Sequence, residues 1–526
     1  MIPFAAPVDD ILFTLDHVAG APRLPGYDSG MAREIAGHFA AFAEGVIAPI
    51  DAPGDREGAR LVDGRVTLPA GYRAAFAAFA EQGWTGLTAP EDYGGQGQDG
   101  VIGAIVSEIE TGASQAFNML VNLTPGHIRT LMAHGTEDQK ARFIPPLAEG
   151  RWLGTMCLTE PGAGSDLGQI RTRAVAEGAN WRLTGEKIFI SGGDQDISEN
   201  VFHLVLARTG APDEGVKGLS LFACPAVLED GARNAVRVTR IEEKMGLHAQ
   251  PTCQLAFDGA RAELVGKAEQ GLRAMFTLMN HARIDVALQG VAQAARASHI
   301  ARSYAADRVQ GRGRTIDHHG DVARMLAEID AAALGGRAMT HLALVTLEAG
   351  DDPWLLECLT PVVKAHCTKA GMRAAETAMQ VLGGYGYLEE YRLSQIYRDI
   401  RIAAIYEGTN GIHAMALAAR LLRLEGGAAL DAFARFIAAQ DETPGLARAF
   451  AAWKAARAHL DAGADPGPIA MAFLRLTART LEQAIWARIE AAAAHHPDPA
   501  RLIRAAAQVA RQAARAEADL AEIQAG

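Results

Sequence analysis

The hydrophobic pattern of this chain changes period twice, and that change constrains its architecture more than any other feature. Through residues 31 to about 153, apolar residues recur at helical spacing, as in "AREIAGHFAAFAEGVIAPI". From about 154 to 265 they fall into short alternating or continuous runs, "VFHLVLAR", "GLSLFACP", "AVRVTRI" and "CQLAFDG", parted by Gly, Pro and Asp. Helical spacing returns from about 266 to 425 in long segments such as "GVAQAARASHIARSYAADRV" and "VVKAHCTKAGMRAAETAMQVL". Short strands at this spacing predict a small antiparallel barrel or sandwich. Within that region, "WRLTGEKIFIS" reads as strand, Thr-Gly-Glu turn, strand. The long helical stretch fits a four-helix bundle. The expected fold class is α+β: an N-terminal helical domain (31–153), a middle antiparallel β-domain (154–265) and a C-terminal helix bundle (266–425). An N-terminal extension (1–30) reads as an ordered arm, and an extra C-terminal helical domain (426–526) follows the break "EGGAALD".

Charge and composition narrow the function. A formal charge of −12 argues against a nucleic-acid partner, which needs a basic face. From residue 428 onward, 11 basic residues balance 11 acidic ones, so the last helices read as packing rather than as a basic arm. The start "MIPFAAPVDDILF" lacks a basic region followed by an apolar core, so no secretory signal is expected. No run of about 18 uncharged apolar residues occurs, so no membrane span is expected. Cys157, Cys224, Cys253, Cys358 and Cys367 are scattered without a C-x-x-C, which fits a reducing compartment and predicts neither a metal site nor a disulfide framework. The expected location is cytoplasmic.

Several stretches carry possible chemistry. In "MCLTEPGAGSDLGQIRTRA" (156–174), Gly162, Ala163 and Gly164 leave room for a ligand against the backbone, with the hydroxyl of Ser165 at the edge of the gap. Thr159 ends an apolar strand there. A plain glycine-rich turn reads equally well, and the stretch is no G-x-G-x-x-G fingerprint. Phe189 and Ser191 in "KIFISGGDQD" are two apart on a strand and would share a face, enough to flank a planar ring. Arg283 lies among apolar residues in "MNHARIDVALQG", where an arginine usually pairs with a carboxylate. "DRVQGRGR" sets Arg308, Arg312 and Arg314 around two glycines, a pattern that suits phosphate or a solvated basic loop. "QVLGGYGYLEEYRL" (380–393) runs an apolar helix end into glycines that cap it or admit a ligand. Finally, "IAAIYEGTNGIHAM" holds one carboxylate, Glu407, between an apolar run and a Gly-Thr-Asn-Gly turn. Desolvation there would raise its pKa.

Taken in order, "LTEPGAGSD", "DRVQG", "QVLGGYGY" and "YRDIRIAAIYEGTNGI" resemble the flavin-dependent acyl-CoA dehydrogenases over residues 30 to 425. The upstream "GWTGLTAPEDYGGQG" and "HGTEDQKARFIPPLAEGRWLGTMCLTEP" match too. The extra C-terminal helices are similar to the long subgroup that includes 3-methylmercaptopropionyl-CoA dehydrogenases. The resemblance implies FAD as cofactor, an acyl-CoA substrate, an electron-transfer flavoprotein as partner and a homo-oligomer, with a dimer favoured. By it, Leu158, Thr159, Phe189 and Ser191 line the flavin, and Ser165 meets the CoA arm. Arg308 and Gln310 reach the pyrophosphate of FAD in a neighbouring subunit, and Gln380, Gly383 and Gly384 meet its adenylate half. Thr409 contacts the flavin nucleotide, Arg283 lies near the thioester end, and Glu407 is the base. Phe189, Gly311 and Gly411 depart from the Trp, Phe and Gln that many members carry. In some relatives the residue before Arg283 is the base; here it is Ala282, which takes no proton. The implied reaction is α,β-dehydrogenation to a trans-2-enoyl-CoA. An acyl-CoA oxidase using O2 and a non-catalytic DNA-binding member of the same fold are the alternatives.

Overall fold

The structure is a computed structural model that describes residues 2–178, 180–311 and 313–526, with only the backbone at Asn280. Arg312 therefore lies outside the described residues. The chain divides into two compact units: Met1–Glu44, Asp99–Gly112 and Arg283–Gly526 form one, and Gly45–Gln98 and Ala113–Ala282 the other.

The second unit carries helices followed by a sheet. Ser114 caps the helix Gln115–Val121, and a reciprocal Thr136–Gln139 capping box starts Glu137–Ala148. The strands of the main sheet are β1 (Trp152–Cys157), β2 (Arg173–Glu177), β3 (Asn180–Ser191), β4 (Asn200–Arg208), β5 (Leu219–Pro225), β6 (Val236–Ile241) and β7 (Thr252–Val265). Pairing runs from β4 through β2, β3 and β7 to β5, and β5 pairs back with β4, so the sheet closes on itself as a barrel. Most pairs are antiparallel; β1 joins β4 in parallel, and β2 meets β4 in parallel at Arg173 and Arg208. Every residue of β4 is buried. Phe202 on this strand packs 5.0 Å, centroid to centroid, from Phe143 of the preceding helix.

The Thr-Gly-Glu turn expected in "WRLTGEKIFIS" is not formed. β3 runs unbroken through Thr184, Gly185 and Glu186, which pair with Asp258, Phe257 and Ala256 of β7. Ladder pairing with β7 on both sides of the step, from Trp181–Ala262 to Ser191–Thr252, overrides the local turn preference of Thr-Gly. Gly185 serves close packing instead: a Cβ there would stand 2.5 Å from Thr172 Oγ1. The shared strand face expected for Phe189 and Ser191 is also modified. A register shift between Lys187 and Ile190 makes a bulge, and Phe189 sits in it with φ 59°, 60% exposed. Ser191, past the bulge, is half-buried.

In the first unit three long helices dominate: α1 (Gly271–Asp307, of which Arg283 onward belongs here), α2 (Gly320–Ala349) and α3 (Pro353–Leu382). α1 and α3 meet backbone to backbone. A Cβ on Gly290 would lie 2.3 Å from Cys367 O, and one on Gly371 would lie 2.6 Å from Gly290 O. The fourth member of the expected bundle is broken into Leu393–Ile400, a 3-10 turn at Arg401–Ala404, and α4 (Asn410–Met415) with a π-helical continuation to Leu421. The break spans Ile405–Thr409 and contains Glu407.

The same unit holds both chain ends. The N-terminal arm is helical at Val8–Phe13, with Ile11, Leu12 and Leu15 buried. The last helices are Ala428–Ala438, Pro444–Asp461, Pro466–Ala492, Pro499–Gln512 and Arg515–Ala525. Three of them open on a capping side chain followed by proline: Thr443-Pro444, Asp465-Pro466 and Asp498-Pro499. Trp453 is fully buried among Phe433, Phe450 and Phe473 and donates its indole N–H to Thr477 Oγ1 at 3.0 Å. Among the described residues no helix is long and apolar enough to cross a membrane, and no group of three or more His, Cys, Asp or Glu side chains could hold a metal ion.

Candidate active site

Glu407 lies in a strained turn. Its φ is 52° and that of Gly408 is 93°. A non-glycine residue in the left-handed region costs about 1–2 kcal/mol, so the surroundings must hold it there. Five hydrogen bonds do so. Lys364 of α3 donates from Nζ to Gly408 O at 2.6 Å and to Asn410 Oδ1 at 3.4 Å. Asn410 Nδ2 donates to Ala365 O at 3.3 Å. His413 Nε2 lies 3.2 Å from Glu407 O. Thr409 caps α4, its hydroxyl accepting the Ile412 N–H at 3.3 Å. Glycine is required at 408, since a Cβ would also meet the His413 ring at 3.1 Å.

The electrostatics follow from burial. Desolvation raises the pKa of Glu407, against the opposing charges of Arg283 and Lys364. Burial lowers the pKa of Arg283, while Glu407 supports its charge. Lys364 is fully buried and its pKa is pushed down to about 8, with Glu407 acting the other way. Burial, Lys364 and Arg283 together push His413 down to about 3. The neutral ring therefore offers an Nε2–H to the Glu407 carbonyl. Before the turn, Tyr406 O–H donates to Gln289 Oε1 of α1. The site thus sets the Glu407 carboxylate beside the cations of Arg283 and Lys364, on a backbone fixed from α3 and α4.

In the same unit, a cleft of about 530 Å³ opens beyond the ends of α1 and α3. Tyr304, Arg308, Gln310, His319, Gly383 and Gly384 line it. Gly383 leaves α3 with φ 61°, and both glycines face open space. The Arg308 guanidinium lies over the Tyr385 ring at 5.3 Å. His319 approaches Gln310 O at 2.8 Å, and its ring lies 3.2 Å from where a Cβ of Gly311 would be. Gln380 is exposed at the end of α3 and outside the lining of this cleft.

In the other unit, Leu158 is buried and Thr159 half-buried just past β1. Fully buried Lys187 donates to Leu158 O at 2.7 Å and to Glu160 Oε1 at 2.8 Å, pinning that strand end. Ile188 N–H, within the bulge, donates to Thr159 O at 2.9 Å. Leu158, Thr159 and Phe189 are thus tied to one patch. Ser165 is exposed in the following loop, where Gly162 and Gly164 face open space.

Most predicted residues fall into three sets: Glu407, Thr409 and Arg283; Arg308, Gln310, Gly383 and Gly384; and Leu158, Thr159, Phe189 and Ser191; Gln380 and Ser165, both exposed, stand outside them. Sequence reasoning missed Lys364, His413, Gln289 and His319. Lys364 had a signal, a lone lysine inside the apolar helical run "PVVKAHC". The others had none, because their partners are distant in sequence or in backbone alone.

Three family models match the chain: the acyl-CoA dehydrogenase N-terminal domain over residues 31–151, the middle domain over 155–260 and the C-terminal domain over 269–422. The chain is 40% identical over 506 residues to the 3-methylmercaptopropionyl-CoA dehydrogenase of Ruegeria pomeroyi, covering 88% of this chain and 86% of that one. It is 34% identical to the broad-specificity linear acyl-CoA dehydrogenase FadE5 of Mycobacterium tuberculosis, over 82% and 77% of the two chains. Its fold is similar to that of an acyl-CoA dehydrogenase from Bacillus anthracis complexed with FAD, with a TM-score of 0.76 at 21% identity over 97% and 91% of the chains. Fold and sequence thus define a flavoprotein oxidoreductase. The chain belongs to the acyl-CoA dehydrogenase family, whose members depend on FAD.

The residues present fit that cofactor. The cleft pairs a guanidinium for phosphate with aromatic rings for a purine and open glycine backbone for close approach. In the other unit, the bulged Phe189 offers an exposed ring on backbone tied to Thr159 through the Ile188 N–H.

Proposed function

We propose that this chain removes two hydrogens from an acyl-CoA thioester, giving the trans-2-enoyl-CoA, with Glu407 as general base. The observation that carries this reading is the held, strained turn that fixes a carboxylate of raised pKa beside Arg283 and Lys364. A base with its pKa lifted towards the working pH is better matched to a weakly acidic carbon. Glu407 takes the α-proton on its carboxylate. The backbone N–H of the same residue donates to the thioester oxygen, where negative charge develops. Arg283 keeps Glu407 ionised between turnovers. FAD, when bound, supplies the acceptor for the β-hydride. Leu158, Thr159, Phe189 and Ser191 hold its flavin end, with Thr409 on the nucleotide. Arg308, Gln310, Gln380, Gly383 and Gly384 hold the diphosphate and adenylate end in a neighbouring subunit, which makes the working form at least a homodimer. Ser165 meets the CoA arm. Electrons pass to an electron-transfer flavoprotein, in the cytoplasm. A short methylthio-substituted thioester joins the straight-chain acyl-CoAs as a substrate to test.

The test is Glu407→Gln. Loss of an essential base typically costs about 10²–10⁴-fold in rate. Flavin reduction by saturating acyl-CoA should fall by at least that much, with FAD content and acyl-CoA binding retained. Reduction near the wild-type rate would place the base elsewhere.

A further inference from the structure

We propose that Lys364 is a positioning residue for proton abstraction: its buried ammonium clamps the Glu407 turn to α3 and keeps the base aimed and ionised. The inference rests on the reading of Glu407 as base and adds to it a residue 43 positions earlier in the chain.

The geometry carries it. Lys364 is fully buried, and a buried ammonium needs acceptors. Those described are Gly408 O at 2.6 Å and Asn410 Oδ1 at 3.4 Å, on either side of Thr409. Asn410 returns a bond to Ala365 O, so the clamp is closed in both directions. The strained residue lies immediately before the clamped carbonyl. Without Nζ, the Gly408 carbonyl would lose a charge-assisted bond, and the turn could relax from its positive-φ form. Lys364 is itself held by the α1–α3 crossing. Gly371 and Cys367 lie seven and three residues on along the same helix, and both touch Gly290. Three elements therefore converge: α1 sets α3, α3 sets the turn, and the turn sets the base.

Charge gives Lys364 a second effect. The groups facing it are Glu407 on the turn, Arg283 from α1 and His413 from α4. Lys364 and Arg283 both favour the carboxylate form of Glu407 against burial. Removing Lys364 leaves Arg283 alone in that role, so Glu407 should hold its proton to higher pH.

The experiment compares Lys364→Met, which keeps the length without the charge, and Lys364→Arg with the wild type and with Glu407→Gln. Stopped-flow flavin reduction is followed across pH with saturating acyl-CoA, alongside FAD content and the thermal midpoint. A misplacement of about 1 Å at a reacting group can cost about 10²-fold. Lys364→Met should slow reduction about 10- to 100-fold, shift the acidic limb of the pH profile upward, and leave acyl-CoA binding within a few-fold. Lys364→Arg should recover the acidic limb more fully than the rate. Unchanged rate and limb in Lys364→Met overturn the proposal. So does loss of FAD or folding in both variants, which would make Lys364 structural only. If Glu407→Gln itself reduces flavin normally, the reading of Glu407 fails; if it is inactive while Lys364→Met is normal, only the role of Lys364 fails.

Discussion

Asp10 and Arg501 are joined by a two-point ion pair, Nη1 to Oδ1 at 3.0 Å and Nη2 to Oδ2 at 2.8 Å, across 491 residues of sequence. His496 Nε2 adds a third bond to Asp10 Oδ1 at 2.9 Å, and Arg337 of α2 approaches the same carboxylate. The N-terminal arm is thereby tied to the last helices and to the bundle. Removing one partner of a buried pair leaves the others uncompensated, at a cost of about 3–5 kcal/mol. Asp10→Asn should lower stability by that order in urea denaturation. A change within 0.5 kcal/mol would make the pair incidental.

The same pair sets a pH dependence. Burial alone would raise the pKa of Asp10, but His496, Arg501 and Arg337 outweigh it and hold it well below the usual carboxylate range. With the folded pKa below the unfolded one, near 3.9, the unfolded chain binds the proton first as pH falls. The stabilisation is therefore complete above about pH 5 and is lost progressively below it. Thermal melts from pH 7 to pH 3 should show a steeper acid loss in the wild type than in Asp10→Asn. Parallel curves would count against this assignment.

The α1–α3 crossing has little room. A Cβ on Gly371 meets Gly290 O at 2.6 Å, and backbone on both sides must move to admit it. Gly371→Val should cost about 1–3 kcal/mol from overpacking and should also slow flavin reduction, because α3 carries Lys364. Wild-type stability and rate in this variant would show that the helices separate without consequence.

Flavin reduction should weaken on acidification. Burial raises the pKa of Glu407 against Arg283 and Lys364, and only the carboxylate form takes the α-proton. The acidic limb should therefore have its midpoint above the ordinary glutamate value of about 4.3. A limb at or below that value would contradict the buried base.

Arg308 lines the open cleft and stacks on Tyr385. A charge-assisted hydrogen bond is worth about 1.5–3 kcal/mol, which is about 10- to 150-fold in affinity. Arg308→Ala should weaken FAD retention to that extent in reconstitution titrations, with helical content unchanged. Full retention would remove Arg308 from the cofactor site.

Much of the architecture was legible because hydrophobic period is a local property. The helical runs at 31–153 and 266–425 and the strand runs between them correspond to helices and strands in the structure, except that the antiparallel pair Arg60–Val62 and Arg65–Thr67 interrupts the first run. Local reasoning failed at "LTGEK", where a Thr-Gly-Glu turn signal was overridden by the ladder with β7. It was incomplete at Phe189, where a bulge turns the ring outward. The break in the fourth helix was marked by Gly408 and the Thr-Asn that follows, but the left-handed backbone of Glu407 was not, because its cause lies on α3 and α4.

By itself the sequence determined the succession of helical and strand segments and the motifs that mark a flavin-dependent acyl-CoA chemistry. All of these depend on neighbours a few residues apart. Only the tertiary structure decided that Lys364 would support the Glu407 turn, that Gly290 and Gly371 would bring their helices into contact, and that Asp10 would meet Arg501. Each of those pairings joins distant segments whose burial makes the partner necessary. A buried charge or a strained backbone declares its need locally, but which distant group meets it depends on how the segments pack.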